Sequence, residues 1–179
     1  MVSTTRSYGT TPLFKRPDAR AALFGFVVSA ALLGGAWFFQ YVLGYAPCIM
    51  CYWQRHAHKV VLAVAAATIA AHAVGGLPRW LGPVLLVSAF TGSFVLGAFH
   101  VGVEFGLWDG PAACAATVGD LPTIDPNDPL AILDGEFAGP SCSDVAWRFL
   151  GISMAGWNAL ISLFGALGTY RLATQGVKP

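Results

Sequence analysis

Four apolar stretches, separated by short connections and one long polar segment, set the plan of the chain. The first, Ala21 to Leu43, contains no charged residue and exceeds the ~20 residues a helix needs to cross the hydrocarbon core. It predicts a transmembrane helix. A secretory signal peptide carries only about 7 to 15 apolar residues before its cleavage site, so this span is expected to be retained. Val60 to Val74 is too short to cross alone, but a helix that starts near Tyr52 is long enough and keeps its first two turns polar, at the interface. Gly75, Gly76 and Pro78 predict a tight turn. Trp80 to Val103 is the third span, with Pro83 near its start and His100 near its end, and the fourth runs from about Phe149 to Leu172. The fold class expected is an all-α integral membrane protein, a single domain over 1–179 with helices at about 21–43, 52–74, 80–103 and 149–172. The short first and second connections make it a four-transmembrane-helix antiparallel bundle.

Composition agrees with a bilayer as the solvent: 56% of residues are hydrophobic and 11% charged. A net charge of +1 speaks against a nucleic-acid partner and against a polybasic membrane tether. The basic residues also orient the spans, because cytoplasmic flanks carry the excess of Lys and Arg. Arg6, Lys15, Arg16, Arg20, Arg79, Arg171 and Lys178 collect on one side, against Arg55, Lys59 and Arg148 on the other. Both termini are therefore expected in the cytoplasm. Residues 1–20, with Pro12 and Pro17, read as a cytoplasmic leader without a long helix. Trp37, Phe39, Tyr45, Trp53, Trp108 and Trp147 lie near the outer ends of the spans, as an interfacial aromatic belt does. In a bacterial inner membrane that outer side is the periplasm.

One polar segment, 104–146, holds nearly all the acids and five prolines, and predicts a long, irregular periplasmic loop between the third and fourth helices. A loop of that length without its own core is uncommon unless functional or disordered. Within it, Pro129 to Phe137 offers one apolar side for a short interfacial helix.

The chemistry is concentrated in the cysteines. Cys48 and Cys51 form a C-x-x-C pair followed by Arg55, while Cys114 and Cys142 lie in the long loop. On the oxidising side of a membrane four thiols suit two disulfides. A C-x-x-C pair alone also serves zinc sites, haem attachment and thioredoxin-like folds. The reactive species is the thiolate, which a helix N-terminus and a nearby cation favour. Cys51, in the first turn of the second helix and four residues before Arg55, is expected to enjoy both. Gln40, His56, His58 and His100 are candidate donors to a bound ring, with His100 favoured because it can approach Cys51 from a neighbouring helix. His56 and His58 are expected to be ordinary interfacial histidines, and His72 to lie on the opposite side. Asn158 within the fourth span predicts an interhelical hydrogen bond. Glycines in the spans predict close helix packing.

Taken together, Trp37 to Tyr41 leading to Pro47-Cys48-Ile49-Met50-Cys51 and Arg55, the Cys114 and Cys142 pair, and Ser141-Cys142 through Trp147, Phe149-Leu150-Gly151 and Met154 resemble the disulfide bond formation protein B (DsbB) family. The resemblance runs from the first helix to the fourth. It implies a protein-disulfide oxidoreductase of the bacterial inner membrane that reoxidises a DsbA-like periplasmic thiol oxidase and passes electrons to the membrane quinone pool, ubiquinone or menaquinone. DsbA is a strong oxidant, at about −120 mV, so a quinone acceptor supplies the drive that a simple dithiol lacks. By the same resemblance Cys114 forms the mixed disulfide with the partner, Cys142 is freed and attacks Cys48, and Cys51 is left as a thiolate beside the quinone. Arg55 would hold the quinone with His100 and Gln40, and no metal is involved.

The family often places an acidic residue directly before the arginine, where this chain has Gln54. That alters local charge and the proton path. Three other classes compete. A structural zinc site would use the four cysteines as thiolates. A transmembrane thiol reductant carrier would place redox cysteines within the spans or within reach of both faces. A disulfide-braced structural membrane protein would use its bonds only to hold its loops.

Overall fold

The computed structural model describes residues 16–74, 78–111, 114 and 140–175. The leader before Arg16, the side chain of His72, the turn at 75–77, the short helix expected over 129–137 and Lys178 lie outside the described residues. Four long helices dominate: α1 Pro17–Tyr41, α2 Ile49–Val74, α3 Leu81–Glu104 and α4 Met154–Thr174. Two short strands, β1 Arg148–Phe149 and β2 Ile152–Ser153, precede α4.

The helix starts differ from expectation, and local chemistry explains each. Pro17 begins α1 instead of ending the leader, because proline's fixed φ and missing N–H suit the first helical position. The second helix starts at Ile49, not near Tyr52. Cys48 caps it: the Cys48 carbonyl accepts from Tyr52 N at 3.3 Å, and the Cys48 sulfur accepts from Cys51 N at 3.3 Å. The fourth helix starts at Met154 instead of Phe149, because residues 148–153 form a hairpin in which Arg148 pairs with Ser153 and Phe149 with Ile152. Its turn residues, Leu150 at φ 51 and Gly151 at φ 79, have the two positive φ values of a two-residue hairpin turn. Ser153 then caps α4 by accepting from Gly156 N.

The helices form a closed antiparallel ring in which α1 packs on α2 and α4, and α3 packs on α2 and α4. Direction follows from the pairings. Arg55 reaches Gln40 whereas His58 reaches Ser29; Gln54 meets His100 whereas His58 meets Ser93. At the far end Arg20 donates to Gln175 at 3.3 Å, tying the start of α1 to the end of α4. The core at that level is Ala22, Val61, Ala65, Leu86, Phe90 and Ala166. Phe90 is fully buried and needs the glycine opposite: a Cβ on Gly165 would come within 2.6 Å of its ring. Small residues thus admit one large ring between backbones, as helix packing in lipid favours.

Among the described residues, α1 and α3 are long and apolar enough to cross a membrane.

Candidate redox site

The site lies at the end of the bundle where α1 stops, α2 starts and α3 stops. The way α3 ends brings in the remaining cysteines. Gly106, at φ 67, closes the helix by donating its N–H to Val103 O at 3.0 Å, while Leu107 N donates to Gly102 O at 2.9 Å. These two bonds are a Schellman motif, and they turn the chain back. Trp108 then folds over Gly102, donating Nε1 to Phe99 O at 3.0 Å and stacking on Phe99 with ring centroids 5.5 Å apart. The returning chain seats Cys114 against Val103 and the C-x-x-C pair, in one buried cluster of Cys48, Met50, Val103, Cys114 and Cys142.

Cys114 and Cys142 form a disulfide, with Cα atoms 5.1 Å apart and a sequence separation of 28. Cys48 and Cys51 are free thiols with sulfurs 2.8 Å apart. A disulfide needs about 2.05 Å, so a small side-chain rotation closes the bond. Between the two pairs stands His100, 3% exposed. Gln54 Nε2 donates to its Nδ1 at 2.8 Å, which leaves the proton on Nε2. That Nε2–H donates to the Cys142 carbonyl at 3.2 Å and lies 3.7 Å from the Cys48 sulfur. The Cys48 sulfur, His100 and the Cys142 sulfur all come within 4.8 Å of one another. With Cys142 in a disulfide, its sulfur is not a thiolate ligand, and two of the four thiolates a zinc site would need are consumed.

Electrostatics within the C-x-x-C pair run opposite to the sequence expectation. The donors converge on Cys48 and not on Cys51. Cys48 is held well below an ordinary thiol, at about 5, first by the hydrogen bond from the Cys51 thiol; burial opposes this, and His100 and the Cys51 N–H add to it. As the capping residue, Cys48 also faces the positive end of the helix dipole. His100 likewise approaches Cys48 where Cys51 was expected.

Arg55 donates to the Gln40 side-chain oxygen and to Ala36 O at 3.2 Å, and its guanidinium stands 5.4 Å from the centre of the Tyr52 ring. Gln40 therefore orients Arg55 through its carbonyl and does not line the neighbouring cavity. That cavity, of about 470 Å³, is lined by all four long helices, with His100 and Glu104 contributed by α3. Leu32, Leu33, Ala36, Phe39 and Trp157 make its apolar walls, Cys51, Gln54, Arg55 and His100 its polar side, and 140–147 covers it. The cover is anchored by aromatics: Trp147 packs on Phe39 at 4.8 Å and stacks on Phe149 at 5.9 Å.

Two residues gain roles that the sequence reading did not give them. Gln54, noted only as a missing acid, fixes the tautomer of His100; its position next to Arg55 was the available signal. His58, expected at the interface, is 2% exposed inside the bundle, bonded to Ser29, Ser93 and Asn158. The hydrogen bond expected of Asn158 is the one it makes with His58. His56 is exposed and bonded to Tyr52 O.

Comparison with known proteins identifies the family. The family model "Disulfide bond formation protein DsbB" covers residues 18–170. The chain belongs to the DsbB family. Curated relatives called disulfide bond formation protein B include one from Polaromonas sp., 34% identical over 153 residues, covering 81% of this chain and 86% of that protein. One from Aeromonas salmonicida is 33% identical, covering 85% and 86%, and one from Marinobacter nauticus is 31% identical, covering 83% and 89%. Membership makes the chain a membrane protein of disulfide bond formation, with disulfide oxidoreductase chemistry centred on its redox cysteines.

Proposed function

We propose that this DsbB-family member is a quinone-dependent thiol oxidase. It takes two electrons from a DsbA-like periplasmic dithiol and delivers them to ubiquinone or menaquinone. The observation that carries the reading is the approach of Cys142 to Cys48, within 4.8 Å, which joins the two pairs by a direct sulfur path. All four helices cross the bacterial inner membrane in this reading, with both termini cytoplasmic and the loop 104–146 periplasmic. The closeness of both pairs at one end of the bundle supports oxidation on one side of the membrane, and does not suit a carrier between its two faces.

The route conserves bonds at each step. A partner thiolate attacks Cys114, forming a mixed disulfide and releasing Cys142 as thiolate. Cys142 attacks Cys48 of the Cys48–Cys51 disulfide and releases Cys51. The partner's second thiol resolves the mixed disulfide and frees Cys114, which attacks Cys142 and expels Cys48. A thiolate of low pKa leaves faster, so the hydrogen bonds on Cys48 favour this last step. Two electrons and two protons have then passed from the partner to Cys48 and Cys51, the redox pattern of the structure, with one pair bonded and the other free. What a bound quinone supplies is a sink for two electrons and two protons, so that the Cys48–Cys51 disulfide re-forms. The cavity residues fit such a ring: apolar walls, a guanidinium preset by Gln40 and Ala36, and Cys51 on the rim. Arg55 retains donors beyond those two bonds and stabilises negative charge developing on ring oxygens.

The test is to give purified full-length protein a reduced DsbA-like partner and a water-soluble ubiquinone analogue, following partner thiols and quinone absorbance together. One quinone reduced per partner dithiol oxidised is expected. Partner oxidation without quinone consumption would overturn the reading.

A further inference from the structure

Deeper in the bundle than the sulfurs, each of the four long helices sends a polar side chain into one buried group: Ser29 from α1, His58 from α2, Ser93 from α3, and Asn158 and Ser162 from α4. His58 Nε2 lies 2.7 Å from Asn158 Oδ1 and 3.1 Å from Ser93 Oγ. The other ring nitrogen, Nδ1, lies 3.1 Å from Ser29 Oγ. An amide oxygen only accepts, so Nε2 carries the proton and the Ser29 hydroxyl donates to Nδ1. Ser162 donates to Ser93 Oγ at 3.0 Å. With Oδ1 fixed by His58, the Asn158 amide nitrogen has two hydrogens to place. Its one partner among the described residues is Ser93 Oγ, at the long distance of 3.5 Å.

His58 and Asn158 both line the cavity that Cys51 and Arg55 line. His58 follows Arg55 by three residues, nearly one helical turn deeper into the bundle. The cavity thus has a guanidinium at one level and an amide donor at a deeper one, with apolar walls between. Polar groups at membrane depth are costly to bury, and those facing an interior cavity mark ligand positions.

We propose that Asn158, held by His58, is the second polar anchor of this cavity and donates to the far carbonyl of a ring with oxygens on opposite edges. The inference rests on the quinone reading and adds the second grip on its ring: one oxygen held from Arg55, the other from Asn158. Asn158 touches the ligand; His58 is a positioning residue that acts through it.

The experiment uses full-length protein in lipid nanodiscs with 1,4-naphthoquinone as acceptor and 1-tetralone, its one-carbonyl relative, as competing ligand. Asn158→Leu should raise KM for the quinone about fivefold to tenfold, the worth of one buried hydrogen bond, and leave KM for the reduced partner unchanged. Discrimination between the quinone and tetralone should shrink by the same factor. His58→Leu should do the same, and His58→Gln, which keeps a donor for Oδ1, should restore most of it. If Asn158→Leu does not fold, Asn158→Thr removes the amide with less change in polarity, and the same discrimination is measured. A change in discrimination below about twofold in a folded variant, with wild type still reducing quinone, overturns this inference and spares the quinone reading. A wild type that reduces no quinone overturns both.

Discussion

The two cysteine pairs solve different problems with the same chemistry. Cys48 and Cys51 sit on one helix start, their spacing set by the backbone, with the capping geometry of α2 supplying hydrogen bonds to Cys48. Cys114 and Cys142 are 28 residues apart in sequence and owe their place to tertiary packing: the Schellman turn after α3, Trp108 over Gly102, and the segment anchored by Trp147. One pair is a fixed station and the other is delivered to it. His100 touches both, through the Cys48 sulfur and the Cys142 carbonyl. Cys48 and Cys51 line the cavity, whereas Cys114 and Cys142 do not.

Donor identity should separate the pairs most strongly. Cys48→Ser is expected to lower quinone reduction about a thousandfold or more with any thiol donor, as loss of a reacting sulfur does. Cys114→Ser should abolish oxidation of the protein partner yet leave oxidation of a small dithiol such as dithiothreitol; quinone absorbance with each donor reads both. Equal losses with both donors would erase the distinction. Next in size is a pH effect confined to the fixed pair. Because the Cys48 pKa is lowered, to about 5, its thiolate prevails above that pH. Iodoacetamide labelling of Cys48, read by peptide mass spectrometry, should therefore stay level from neutral pH downward and fall as the pH drops through about 5. Cys51→Ala removes the chief donor, so the midpoint should climb toward the ordinary thiol value of 9.0. The smallest effect is expected at the seat of the delivered pair. A Cβ on Gly110 would stand 3.0 Å from Cys114 Cβ and 3.3 Å from its sulfur. Gly110→Ala should slow partner-dependent turnover about threefold to tenfold by misplacing that sulfur, with dithiothreitol-dependent turnover unchanged.

The fixed station was largely legible in local sequence, whereas the delivered pair, Cys114 and Cys142, was named through the family resemblance and its seat in the fold was not legible there. Apolar periods located four helices, and C-x-x-C before a helix with Arg55 after it marked the redox chemistry, since these signals are local. Helix starts were misjudged where a cap decided them: Cys48 capping through its sulfur moved the thiolate-favouring bonds from Cys51 to Cys48. The hairpin at 148–153 escaped because an apolar run continues smoothly from Phe149 into α4, and only Leu150 and Gly151, in a two-residue turn, break the helix. His58 was misplaced because its partners, Ser29, Ser93 and Asn158, come from three other helices. The Gln54 to His100 bond joins α2 to α3 and is likewise visible only in the fold.

The meeting of Cys142 with Cys48 is the central claim, and trapping tests it most directly. In a Cys51→Ser, Cys114→Ser double variant of the full-length protein, only Cys48 and Cys142 remain. Mild oxidation in lipid nanodiscs, followed by non-reducing peptide mass spectrometry, should find one intramolecular Cys48–Cys142 disulfide in most molecules. Persistence of both residues as free thiols in folded protein would contradict the relay.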